Sequence, residues 1–189
     1  MARLQKSIDK RTALLKSTLG LINEGGVQQA CMSKVAKMAN VSPATIYLYF
    51  ENKQDLVNQL FNETRELFSQ TAFKGYDQSM PVKKSFRAIW YNIAEFRLKH
   101  NEEASFLAQC ESTPIVEEDR CKKDLHHLKP LVDLWLRGQR EGIIKEIEPY
   151  LLYAYTIYPM SFVLNKENRK VEPDFLEAAF NAAWDAIKR

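Results

Sequence analysis

Residues 31–53 read CMSKVAKMANVSPATIYLYFENK, two short helices meeting at a tight turn with the start of a third behind them. Val35, Ala36 and Ala39 have the i, i+1, i+4 spacing of a short amphipathic helix. Asn40 stops that helix, because Asn tolerates the left-handed backbone of a C′ position. Val41 plugs the turn with an apolar side chain. Ser42-Pro43 restarts the chain: Ser is a favoured N-cap, and Pro fits the first helical position, where its missing N–H costs nothing. Ile46 and Phe50, four residues apart, mark the inward face of a brief second helix. Pro43, Ala44, Thr45, Tyr47, Leu48 and Tyr49 are left to face something else.

A three- to four-residue turn between two short helices is the geometry of a helix-turn-helix, whose second helix enters the DNA major groove. Pro43 and Ala44 are small and allow close approach to the bases. Thr45 offers a hydroxyl for a base edge or phosphate and a methyl for thymine. Tyr47 and Tyr49 can donate to phosphate oxygens, and Lys53 adds a charge where the next helix begins. The reading that competes is a helical hairpin in an all-α core, which has no use for two tyrosines, a threonine and a lysine on its outer face.

Leu14-Leu15, Leu21-Ile22 and Gly26 precede this stretch, and Val35-Ala36, Asn40-Val41-Ser42, Thr45-Ile46-Tyr47, Tyr49-Phe50 and Lys53 fall within it. In that order and spacing the sequence resembles the TetR family of transcriptional regulators over residues 8–62. The resemblance implies an all-α fold: a three-helix DNA-binding head and a helical bundle for ligand binding and dimerisation. It also implies that Pro43, Ala44, Thr45, Tyr47, Leu48, Tyr49 and Lys53 touch DNA. Two residues depart from the pattern. Cys31 stands where a Thr or Ser commonly caps the first helix of the motif, a change worth about 1 kcal/mol. Leu48 is less polar than usual, which leaves base preference open.

The charge distribution agrees. The chain of 189 residues has a net charge of +3, and residues 1–56 hold eight Lys/Arg against four Asp/Glu, while the remainder holds nineteen against twenty. The positive excess thus sits with the head, as a phosphate-binding surface requires. Cys31, Cys110 and Cys121 have no CxxC spacing, so neither a zinc site nor a disulfide framework is indicated, and Cys110 and Cys121 read as buried thiols rather than a redox pair. There is no signal-peptide-like run near the start. The apolar stretch 150–164 is too short and too rich in Tyr to span a bilayer. A cytoplasmic protein without a membrane partner is expected.

Along the chain, Met1 to Ser7, with Arg3 and Lys6, reads as a frayed arm, either disordered or able to reach DNA. Residues 8–23 form a helix ended by Gly25-Gly26, with Arg11 either a phosphate contact or a solvated charge. Asn52 caps a long fourth helix to about Phe73, the mechanical link between head and body. The domain division is accordingly placed inside that helix: 1–56 for the head, 57–189 for the ligand-binding and dimerisation domain. A loop at 75–80 precedes a helix from Pro81, then a short one to Cys110. A helix from Ser112-Thr113-Pro114 to Glu141 contains Pro130, which should kink it near His126. Pro149 and Pro173 open two final helices, about 149–165 and 173–187. The first is apolar nearly all round and so needs burial on all faces. In the family the last two helices pair with their mates, so Tyr155, Tyr158, Phe162, Phe180, Trp184 and Ile187 are expected at a homodimer interface. A dimer would set two reading helices about 34–36 Å apart on a palindromic double-stranded operator.

Nothing resembles a catalytic constellation, a metal site or a cofactor loop. His100, His126 and His127 lack a nucleophile or an HExxH partner, and Glu117-Glu118-Asp119 reads as a solvated helix face. A small-molecule effector site is expected between helices four and seven, lined by Phe68, Phe86, Ile89, Trp90, Ile93, Phe106, Cys110, His127, Leu131 and Trp135, each of which also fits plain core. The sequence therefore indicates a dimeric repressor released from its operator by a small apolar or amphipathic ligand. The alternatives are an activator of the same fold, and a helical small-molecule-binding protein that no longer reads DNA.

Overall fold

Helix α1 runs Ala2–Gly25 in the computed structural model, which describes residues 2–112, 125–164 and 171–189, without the side chains of 2–5, 112 and 126. The expected frayed arm is thus helical from Ala2. Gly26, at φ 78°, ends α1, a conformation glycine takes without a Cβ clash. A 3-10 turn, Val27–Gln29, leads to α2, Met32–Met38. Asn40 follows with φ 54°, the left-handed stop that its side chain tolerates. α3 is only one turn long, Pro43–Ile46. It stops short of Phe50 because the Leu48 and Tyr49 amides bond to the carbonyls of Thr45 and Ile46, three residues back, both at 3.1 Å. Such i→i−3 bonds tighten the end of a helix.

α4 spans Lys53–Ala72. Asn52 Oδ1 accepts the Asp55 amide at 2.9 Å, and the Asp55 carboxylate accepts the Glu51 amide at 2.9 Å, a reciprocal arrangement of the capping-box kind. Arg11 does neither of the two things expected of it. Its guanidinium pairs with Glu63, donates to Gln59 Oε1 at 2.7 Å and lies 5.7 Å from the Phe50 ring centroid, clamping α1 to α4.

The chain divides into two compact units between Arg65 and Glu66, inside α4, and again between Ala104 and Ser105. The second division falls inside α6, Asn101–Ser112. The first unit is built on one apolar cluster that includes Leu14 and Ile22 of α1, Val35 and Ala36 of α2, Ile46, Phe50, and Leu56 and Leu60 of α4. Phe106 and Cys110 of α6 belong to the same cluster. The division expected at residue 56 puts these two in the ligand-binding and dimerisation domain; periodicity marks an apolar face without saying what that face meets.

The second unit contains α5, Val82–Lys99; α7, Lys129–Arg140; α8, Pro149–Thr156; α9, Tyr158–Val163; and α10, Pro173–Ile187. Two proline expectations are corrected here. Pro130 sits in the first turn of α7 behind a 3-10 turn, Leu125–Leu128, and so starts a helix rather than kinking one. The helix expected over 149–165 is broken at Ile157 by Pro159, which has no N–H for the carbonyl four residues back. The Met160 amide then turns to Ile157 O at 3.1 Å, and Thr156 O accepts Trp90 Nε1–H at 3.1 Å, fixing α8 to α5. The residues after α7 return to α10 through one isolated antiparallel bridge, Ile144 with Lys188. Among the described residues no helix is long and apolar enough to cross a membrane. Cys121, Glu117-Glu118-Asp119, the Thr113-Pro114 helix start and the end of the helix expected to reach residue 165 lie outside the described residues, as does the His126 side chain.

Candidate nucleic-acid interface

The orientation of α3 is set by what it buries. Ile46 and Phe50 are shut inside the first unit, and the opposite side of the same turn is left open. Pro43 and Ala44 are exposed there, Tyr47 is 59 % exposed and Leu48 80 %. An apolar side chain so far into solvent, on a turn with only one inward face, offers van der Waals surface to whatever docks. Thr45, between the exposed Ala44 and Tyr47, and Lys53, at the start of α4, are half-buried.

Hydrogen bonds refine the roles expected of these residues. Ser42 Oγ accepts the Thr45 amide at 3.3 Å, the N-cap bond its position called for, and the Ser42 and Thr45 hydroxyls lie 2.7 Å apart. One hydroxyl proton is consumed in that contact, so the pair has one left for an outside acceptor. Ser42, read from the sequence only as a cap, therefore shares the chemistry of Thr45. Tyr49 is half-buried, and its hydroxyl lies 3.1 Å from Ser7 Oγ on α1. Sequence spacing had no signal for that pair, 42 residues apart. Cys31 has the extended backbone of an N-cap, φ −77° and ψ 144°, but makes no side-chain capping bond. The dipole of the nearby Lys34 amide, too poorly placed for a capping bond, and then the Ser33 hydroxyl lower the pKa of its exposed thiol from the ordinary value.

Residues 14–60 match the family described as bacterial regulatory proteins, tetR family, and residues 81–188 match the tetracyclin repressor-like C-terminal domain. The chain belongs to the TetR family of transcriptional regulators. An uncharacterized HTH-type transcriptional regulator of Haemophilus influenzae is 30 % identical over 189 residues, 98 % of this chain and 99 % of that one. The crystal structure of a TetR-family regulator from Haemophilus influenzae superposes with a TM-score of 0.80 at 29 % identity, over 98 % of this chain and 100 % of that one. A Bacillus subtilis protein named as a fatty acid metabolism regulator is 43 % identical over 80 residues, 42 % of this chain and 41 % of that one. This TetR-family protein is a DNA-binding regulator with an all-α fold, not an enzyme.

The residues expected to line an effector site in the regulator divide in four. Phe106 and Cys110 belong to the apolar cluster of the first unit, and the other eight to the second unit. Phe86 and Trp90 pack on α10, with ring centroids 5.9 and 5.7 Å from Phe180. Phe68 meets Phe96 edge-on at 5.2 Å and has His127 at 6.2 Å on another side. Ile89, Ile93, Leu131 and Trp135 are fully buried, and Trp135 Nε1 has no hydrogen-bond partner among the described residues.

The six expected interface residues of the regulator also divide. Tyr155, Tyr158 and Phe162 are exposed, Phe162 at 77 %, and Tyr150 and Leu151 are exposed on the same two helices. Phe180, Trp184 and Ile187 are instead buried inside the protomer, against Phe86 in the case of the two aromatics. Within the protomer they have almost no exposed surface. α10 has one apolar stripe, and its own chain covers it.

Proposed function

We propose that this regulator is a cytoplasmic homodimeric repressor that reads a palindromic operator through Pro43, Ala44, Thr45, Tyr47, Leu48, Tyr49 and Lys53, and leaves it when a small apolar or amphipathic effector binds the second unit. The observation that carries the DNA reading is the one-sided burial of α3, with Ile46 and Phe50 inside and Tyr47 and Leu48 outside. Tyr150, Leu151, Tyr155, Tyr158 and Phe162 support the dimer, since five large apolar side chains exposed on adjacent helices call for a cover. α4 and α6 each begin in one unit and end in the other, which supports transmission through both. A hundredfold loss of operator affinity requires the effector to prefer the released form by about 2.7 kcal/mol. The relative named for fatty acid metabolism makes fatty acids the first to try.

The test is binding to fragments of the gene's own upstream region, with salt varied and random-sequence competitor present. A competitor-resistant, steeply salt-dependent complex is expected. Binding no tighter than to random DNA, at every fragment, would overturn the sequence-reading role. Thr45→Ala should cost about 1–3 kcal/mol on the operator alone, and equal losses on both DNAs would remove Thr45 from base readout.

A further inference from the structure

We propose that the first turns of α1 form a phosphate-binding flank of the DNA face, in which Ser7 holds the Tyr49 hydroxyl in position and Lys6 and Lys10 take the DNA strand beyond the reading turn. The inference rests on the DNA reading above and extends it to a second element. Its basis is the contact of Ser7 Oγ with Tyr49 Oη at 3.1 Å, which brings α1 against the exposed segment that follows α3. A tyrosine hydroxyl used for a phosphate must be held where the phosphate arrives, and Ser7 is a small, half-buried hydroxyl able to hold it.

Helix geometry then assigns the lysines. Lys10 is three residues after Ser7, so its side chain emerges beside that of Ser7, and Lys6 stands four residues before Lys10 on the same flank. Both are exposed, and because α1 is helical from Ala2 both are carried by regular helix. Asp9 lies across the helix from Ser7 but three residues after Lys6, so it borders the Lys6 end of the flank, which the two lysines leave net positive. Arg11, the next cation, is taken up by Glu63 and Gln59, so among the described side chains the flank is left to Lys6 and Lys10. Lys16, also exposed, lies about 13 Å further along the axis and half a turn round from Ser7.

The experiment measures binding of the full chain to a fluorescein-labelled duplex of arbitrary sequence across a salt series. Each lysine that neutralises a phosphate contributes about 0.9 to the slope of log K against log salt, and twice that in a dimer. Lys6→Ala and Lys10→Ala should each flatten the slope by that amount, while Lys16→Ala, with the same charge change, should leave it alone. Ser7→Ala should lose the same factor in affinity as Tyr49→Phe, the double substitution should lose no more than either, and Ser7→Thr should restore binding. Lys6→Ala and Lys10→Ala slopes indistinguishable from that of Lys16→Ala would overturn the flank. Full additivity of Ser7→Ala and Tyr49→Phe would overturn the positioning role. Wild-type protein that fails to bind the duplex even at low salt would overturn the DNA reading together with this extension of it.

Discussion

Replacing Phe106 by alanine separates two roles that look alike in the sequence. A pocket liner could be shortened with a change in effector response and little loss of stability. Phe106, however, is wholly excluded from solvent, in one cluster with Leu14, Ile22, Leu56 and Leu60. Truncation of a buried Phe costs about 3–5 kcal/mol, the transfer term for the lost ring plus the cavity left behind. Leu107 and Cys110 enter the same cluster from the same helix and would prop that cavity open, so the upper part of the range is expected. Against a total stability of about 5–15 kcal/mol, such a loss falls heavily on the unit that holds the helix-turn-helix. The tryptophans provide the assay. All three, Trp90, Trp135 and Trp184, are in the second unit, whereas both units contribute helix to the far-ultraviolet circular dichroism. In a urea titration of Phe106→Ala, part of the dichroism should be lost well before the fluorescence transition, with operator affinity falling alongside. Phe86→Ala, equally buried in the second unit, should move the fluorescence transition instead. Coincident, near wild-type transitions for Phe106→Ala, with an altered effector response, would refute the placement of Phe106 in the head.

Three further outcomes follow from particular contacts. Cys31→Ser should stabilise the first unit by about 0.5–1 kcal/mol in urea unfolding, because the N-cap backbone is already in place and lacks only an acceptor oxygen. Gly138→Ala should destabilise despite a gain of about 1 kcal/mol in helix propensity. Its Cβ would lie 2.6 Å from Ile144 Cδ1, 2.9 Å from Ile144 Cγ1 and 3.0 Å from Val82 Cγ1, and crowding of that kind costs about 1–3 kcal/mol. Adding Ile144→Val should recover part of the loss in the same melt. The Glu177 carboxylate accepts hydrogen bonds from Arg87, Tyr91 and Asn181, which hold its pKa down to about 2 from 4.5. A lowered folded-state pKa contributes stability above the unfolded value and loses it as pH falls toward the folded one. The melting temperature of wild type should therefore converge on that of Glu177→Gln as pH drops from about 4.5 to about 2, and stay above it by a constant margin near neutrality.

The head was legible because its signals are local. Asn40, Ser42-Pro43 and the Ile46/Phe50 pair each act within one turn of helix, and the stop, the cap and the inward face stand where those residues put them. The same locality explains the proline error in α7: whether Pro130 kinks a helix or begins one depends on whether helix precedes it, and a 3-10 turn does. Pro159 carried a readable break signal that the apolar run around it concealed.

By itself the sequence determined the helical class, the helix-turn-helix and the resemblance to a family of regulators, since periodicity, caps and stops are properties of neighbours in the chain. Only the tertiary structure decided which apolar stripe meets which. Phe106 and Cys110 went to the head, Phe180, Trp184 and Ile187 went inside the protomer, and Phe162 stayed in solvent. A stripe covered by its own chain and one awaiting a partner have the same hydrophobic pattern. They differ only in what stands opposite, and contacts such as Ser7 with Tyr49 or Arg11 with Glu63 exist only once residues more than forty apart are brought together.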